Sequence, residues 1–265
     1  MLDRVLETAE DLVVLDSRNC YKVKFAFPFK GEVARHYFDK TLANPDERDV
    51  EGFKGCWKYD SKTELIHGSS VFLTLRLDKV VRKEDLWIPT LEEARLLDKK
   101  GKLSNGVYRD FGVVVYSQGE PNQRVAKEIR SQTKRKFPLI VPFSALDYRV
   151  DSEFPNGVAV FLSDNQDEIK SGKKAQEIFS NCYTRDSGAC RVSQDRDGDW
   201  GAGWLGLDGS GGDGRVDWMC GEAPSGDLSE AHCYLVLRRF HNQMGILRSE
   251  GDIAIKAFDR SLGYN

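Results

Sequence analysis

Two short apolar runs, at residues 111–116 and 139–143, constrain this chain more than any other feature. In the first, Phe111, Val113, Val114, Val115 and Tyr116 are interrupted only by Gly112, so the run has no polar side to turn to water. A strand that alternates apolar and polar residues covers one face of a sheet, whereas an unbroken run belongs to a strand buried on both. Between the runs, residues 123–134 carry Val125 and Ile129 on one side and read as a helix. Residues 107–143 therefore predict a strand, a helix and a strand, the pattern of an α/β unit. Pro142 argues against a long second strand, because it has no N–H to give to a ladder.

The rest of the chain extends that pattern. Leu2, Val5, Leu6, Ala9, Leu12 and Val13 recur at helical spacing and predict a helix over 2–14. Residues 21–29 are aromatic-rich and partly alternating, which favours a strand. Residues 39–64 are polar and aperiodic, with turn punctuation at 44–46, and a strand is expected over 70–77. Thr90 and Glu93 form a capping-box pair ahead of Leu91, Ala94, Leu97 and Leu103, so a helix begins there. Asn105 and Gly106 turn the chain into the first apolar run, and Pro155, Asn156 and Gly157 turn it into a strand at 158–162. A helix is expected from Asp164 to about residue 181, with Ile169, Ala175, Ile178 and Phe179 facing the core. Strands alternating with helices over 107–181 suggest an α/β unit and leave parallel pairing open.

Composition shifts after Cys182, and strands are expected again at 233–240 and 252–258. The expected fold is α/β or α+β: a mixed sheet with flanking helices, then a Gly/Asp/Trp-rich loop and C-terminal strands. A division into an α/β domain at 1–181 and a Gly-rich, β-containing region at 182–265 fits this shift. The later region reads equally as an insertion and edge of one domain.

The balance of 39 basic against 42 acidic residues leaves a net charge of −3, so the whole molecule does not attract polyanions or anionic membranes. Any such binding needs a local patch. The start of the chain has Asp3, Glu7, Glu10 and Asp11 in place of a basic segment and apolar run, and no apolar stretch approaches the roughly 20 residues of a membrane span. A cytoplasmic protein is expected, with its six cysteines reduced.

The most unusual segment runs from 195 to 218. Six aspartates and eight glycines fall within it, with Trp200, Trp204 and Trp218 among them. Closely spaced carboxylates on a glycine-rich backbone suit a hard cation, Ca or Mg, and Asp195, Asp197 and Asp199 are the candidate ligands. The EF-hand pattern fails, since the sixth position from Asp195 is Trp200 and the twelfth is Gly206. Trp200 and Trp204, with Asp208 and Asp213, would suit the faces and hydroxyls of a polyhydroxylated ligand. The plain alternative is a surface loop with its aspartates in turns and its tryptophans packed inward.

A second candidate is basic. Arg124, Lys127, Arg130, Lys134, Arg135 and Lys136 stand against Glu128 alone between 124 and 136. Such a segment can neutralise several phosphates of a nucleic acid. It also reads as the solvated face of a helix docked through Val125 and Ile129. Were the acidic loop to hold Mg near it, metal-dependent nuclease chemistry would follow.

Cys182, Cys190, Cys220 and His232 or Cys233 lack the paired spacing of a zinc site, so buried thiols are expected. No nucleophile elbow, P-loop, HExxH or GxGxxG motif occurs, and His67 is more simply a hydrogen-bonded residue than a base. Three functions remain open on sequence: a ligand- or cation-binding protein or enzyme using 195–218, a nucleic-acid-binding protein using 124–136, and an interaction module docking a partner through its tryptophans. The sequence specifies neither reaction nor oligomeric state.

Overall fold

A computed structural model describes residues 10–14, 23–28, 31–48, 50–53, 58–62, 65–67, 71–84, 86–99, 101, 109–116, 123–180, 183–184, 188–194, 199–206 and 234–237. These residues form a mixed α/β fold of helices and largely antiparallel sheets. Strands β1 (Glu10–Val14) and β2 (Val23–Pro28) are followed by helices α1 (Gly31–Thr41) and α2 (Pro45–Arg48), then strands β3 (Lys58–Asp60) and β4 (Leu65–His67). Helix α3 (Val71–Arg82), strand β5 (Leu86–Trp87), helix α4 (Leu91–Lys99), strand β6 (Arg109–Val115), helix α5 (Gln123–Ser131) and strand β7 (Leu139–Val141) come next. Then follow β8 (Leu146–Val150), β9 (Val158–Leu162), β10 (Lys170–Ser171), α6 (Lys173–Ile178), β11 (Tyr183–Thr184), β12 (Ala189–Gln194), β13 (Trp200–Gly206) and β14 (Tyr234–Leu237).

The central sheet has the order β10-β7-β6-β12-β13-β11. Its apolar strands are buried on both faces, as their unbroken composition requires. Val113, Val115, Leu139 and Val141 point into one core with residues of α1, α3, α5, β8 and β9. Val114 and Ile140, the alternate positions, point into a second core with Leu91, Ala94 and Leu97 of α4 and Ala175 of α6. The period of two along each strand thus feeds two cores. At Gly112, with φ 138°, an added Cβ would stand 2.6 Å from the Val141 carbonyl oxygen, so this close approach of β6 to β7 requires glycine.

Several expectations hold, although β7 stops at Val141 and α5 at Ser131, short of the spans expected. The strands at 111–116, 139–143 and 158–162 and the helix at 123–134 are β6, β7, β9 and α5. The capping box ahead of α4 is made on both sides: the Glu93 backbone N–H donates to the Thr90 hydroxyl at 3.3 Å, and the Thr90 N–H to the Glu93 carboxylate at 3.0 Å. Asn44 accepts the Asp46 N–H at 3.1 Å in the turn ahead of α2.

Others are corrected. Residues 10–14, expected in a helix over 2–14, form β1, antiparallel to β2; residues 1–9 lie outside the described part. The strand expected at 70–77 is helix α3, which is buried on nearly every side, from Val71 through Asp78. Of the helix expected over 164–181, only Lys173–Ile178 is helical among the described residues 164–180, and Lys170–Ser171 pairs as a strand with β7. The pairing within 107–181, which the sequence leaves open, is antiparallel: β6 with β7, β7 with β10 and β8 with β9. Within the Gly/Asp/Trp-rich segment, Trp200–Gly206 is strand β13, paired antiparallel with β12. The strand at 233–240 is present as β14, and 252–258 lies outside the described residues.

Strands from beyond residue 181 complete both larger sheets. β12 pairs with β6, and β14 lies between β2 and β5 in the four-stranded sheet β1-β2-β14-β5. Among the described residues, no helix is long and apolar enough to cross a membrane.

Candidate functional site

Helix α5 builds the basic surface from its buried side outward. Val125, Ala126 and Ile129 are at most 1% exposed and press the helix onto β9 and the first core. The Gln132 side chain fastens the helix end to that strand by accepting the Leu162 N–H at 2.9 Å. Burial of this stripe leaves Arg124, Lys127 and Arg130, spaced by three residues, on the exposed side. Glu128, the acid in the run, is occupied along the helix, accepting from the Gln132 amide at 3.0 Å.

Past the helix, Lys134 and Lys136 are exposed while Arg135 turns inward. Its guanidinium donates to the carbonyls of Gln166 at 3.0 Å and Ile169 at 3.3 Å, so Arg135 pins the 164–169 segment beneath the basic run. The chain then returns at Gly172, whose N–H donates to the carbonyls of Lys136 at 2.8 Å and Pro138 at 2.9 Å. Gly172 has φ 56°, and a Cβ there would lie 3.3 Å from that of Lys136. This junction sets the exposed Lys173 and Lys174, at the start of α6, beside Lys136. Sequence reasoning missed that pair, because the contact joins segments over thirty positions apart in the chain.

Arginines here lie on aromatic rings. The Arg124 guanidinium sits 4.5 Å from the centroid of Phe154, Arg130 5.6 Å from Phe137, and Arg149 of the adjacent hairpin 5.4 Å from Phe161. Arg124 also pairs with Glu153 and Arg149 with Asp151, each at 3.4 Å across exposed or half-exposed surface, where such pairs contribute little. Exposed Asp164, Asp167 and Glu177 border the surface.

The candidate residues of 195–218 are only partly described. Asp195, Asp197, Asp208 and Asp213 lie outside the described residues. Asp199 is exposed at the strand end beside Trp200. Trp200 itself is packed: its ring meets Phe111 at 5.5 Å and the Arg95 guanidinium at 5.7 Å, and its N–H donates to Asp98 at 3.4 Å. Trp204 lies in β13. Among the described residues, no group of three or more His, Cys, Asp or Glu side chains is placed to share a metal ion. Cys190 is buried, and His67 ends β4 opposite Lys58.

Two polar clusters unforeseen in the sequence lie elsewhere. Buried Tyr37 donates to Glu84 at 2.6 Å, and Lys40 binds the same carboxylate. Burial and the Glu84 bond push the Tyr37 phenol well up. Burial also works to raise Glu84, but the bonds from Lys40 and Tyr37 outweigh it and hold the carboxyl low. Burial, helped by the Lys40 charge, lowers His36 alongside. In the second cluster, buried Arg76 pairs with Glu47 at 3.0 Å and lies over Phe53 at 5.3 Å, and Tyr148 donates to the same carboxylate at 3.2 Å. Both clusters tie α1 or α2 to later elements. A cleft between the start of α4 and β10 is bridged by the Lys170–Glu92 pair at 3.3 Å and holds about 10 Å3, room for one water.

Comparison of the chain with protein-family models, with curated proteins and with solved structures finds no match.

Proposed function

We propose that this protein binds nucleic acid through the phosphate backbone, on the surface made by α5, residues 132–136 and the first turn of α6. The observation that carries this reading is the Gly172–Lys136 junction, which adds Lys173 and Lys174 to a run already holding six basic residues against one acid. Seven exposed cations, Arg124, Lys127, Arg130, Lys134, Lys136, Lys173 and Lys174, then share one region. The net charge of −3 does not oppose contact at short range, because salt screens charges beyond about 10 Å at 0.1 M. It does mean that affinity comes from the patch and that encounter is not steered by the whole molecule.

Each phosphate neutralised by a lysine or arginine releases counterions, so log affinity falls with log salt at about −0.9 per contact in a duplex. If about five of the seven cations engage, a slope of about −4 to −5 is expected. Fluorescence anisotropy with labelled single- and double-stranded oligonucleotides over a salt series reads this directly. The Lys173→Ala/Lys174→Ala variant should bind more weakly and lose about two from the slope magnitude. Absence of binding to both oligonucleotides at low salt overturns the proposal, as does an unaltered slope in the variant.

A further inference from the structure

Proteins that hold single strands without sequence preference combine a positive groove with aromatic faces on which bases stack, each worth about 1–3 kcal/mol. Among the described residues, no aromatic ring in or beside this basic surface is fully exposed, and three have an arginine as neighbour. Phe154, Phe137 and Phe161 each carry an arginine guanidinium across the ring, Arg124, Arg130 and Arg149 respectively, at 4.5 to 5.6 Å. Phe154 is moreover buried, at 9% exposure. Among the described residues the exposed large hydrophobic is Val150, which offers no π face to a base.

What these arginines offer is different. A guanidinium held beside a ring retains N–H donors beyond those given to Glu153 or Asp151, and the contact restricts its rotation before any ligand arrives. Less side-chain freedom is then lost when a phosphate oxygen is bound. The surface also crosses two elements, from Arg124 at the start of α5 to Lys174 in α6, with Lys134 and Lys136 between them. A duplex places one charge per roughly 1.7 Å of axis, twice the density of either strand alone, and so suits a broad cationic surface better than a single strand does.

We infer that, if the nucleic-acid reading is right, the ligand is a duplex held by its phosphates irrespective of sequence, and not a single strand held by its bases. The lack of an exposed aromatic face among the described residues and the two-element lysine patch together carry this inference, which deepens the proposed function at the same surface.

The test is competition at fixed low salt against a labelled mixed-sequence duplex of about 20 base pairs, using as competitors a thymine-only single strand of equal length, an A·T duplex and a G·C duplex. The duplexes should compete within about threefold of one another, because phosphate contacts carry no sequence information. The single strand should need roughly tenfold more, given its lower charge density. A single strand that competes as well as the duplexes overturns the inference while leaving nucleic-acid binding intact, and so does a preference above about tenfold between duplex sequences. No binding of the labelled duplex or of the labelled single strand, with the fold verified by circular dichroism, overturns both readings.

Discussion

Asp78 is a charged side chain whose removal should be felt strongly. It is fully buried in α3, receives the Arg82 guanidinium one turn on, and accepts the Ile88 backbone N–H at 2.9 Å. One carboxylate therefore joins α3 to the segment that follows β5. Burial pushes the Asp78 carboxyl up, against the pull of Arg82 and the Ile88 bond. The acid thus holds its proton more tightly folded than unfolded, so this group's contribution to stability falls as pH rises from its ordinary value of 3.8 through the raised one. Asp78→Ala leaves the Ile88 N–H buried without that acceptor and Arg82 without that partner, and breaking a buried pair from one side costs about 3–5 kcal/mol. At about 2–4 °C per kcal/mol for a chain of this size, the melting temperature should drop by roughly 10 °C. Asp78→Asn keeps an oxygen for Ile88 and gives up only the charge that burial disfavours. Arg82, 22% exposed, can turn to water. That variant should recover about 1–3 kcal/mol of the alanine deficit, the penalty of an unsatisfied buried donor. Thermal and urea unfolding of the three proteins at pH 7 measure these differences. Equal losses in the two variants would refute the role given to the Ile88 bond, and a loss below about 1 kcal/mol in Asp78→Ala would refute the whole account.

Gly112→Ala should lower stability by about 2 kcal/mol or more, through positive φ and the collision with the Val141 carbonyl, and a chemical-denaturation midpoint near wild type would count against the close approach. Glu93→Ala should cost more than Thr90→Ala, which loses a cap worth about 1 kcal/mol, because Glu93 also accepts the buried Trp87 indole N–H at 3.0 Å. Paired melting curves give the order. The Tyr148 phenol, pushed up to about 12 by burial and the Glu47 charge, should remain protonated at pH 11 in an ultraviolet titration of the folded protein. Its proton is held more tightly folded than unfolded, so its contribution is constant below pH 10 and declines between 10 and 12. Tyr148→Phe should remove that component of the decline.

What was legible in the sequence depended on how many sides of each element meet the core. Helices α4 and α5 have one apolar stripe and one polar face, so periodicity revealed them, and the Thr90–Glu93 pair marked the start of α4. Strands β6 and β7 were legible for the opposite reason, being short apolar runs with both faces covered. Helix α3 defeated the same logic. Its sequence from Val71 to Leu77 alternates Leu73, Leu75 and Leu77 with Thr74 and Arg76, a strand-like pattern, yet all of these side chains are buried in a helix. Buried Arg76 and Asp78 have partners distant in the chain, Glu47 for Arg76 and the Ile88 N–H for Asp78, and no local pattern records them. Of the basic surface, α5 and its continuation were legible as a charge run. Lys173 and Lys174 were not, because the Gly172–Lys136 bonds that bring them there are tertiary.

The place of β14 bears on how the chain is made. Tyr234–Leu237 lies between β2 and β5 and is paired to both, across about two hundred residues in the first case. A chain emerging from the ribosome therefore synthesises both neighbours long before the strand that joins them. Until then β2 and β5 each present an open edge, the kind of surface on which chains pair wrongly with one another. Completion of that sheet waits for the synthesis of Tyr234–Leu237, and any product cut short before Tyr234 carries the exposed edges permanently.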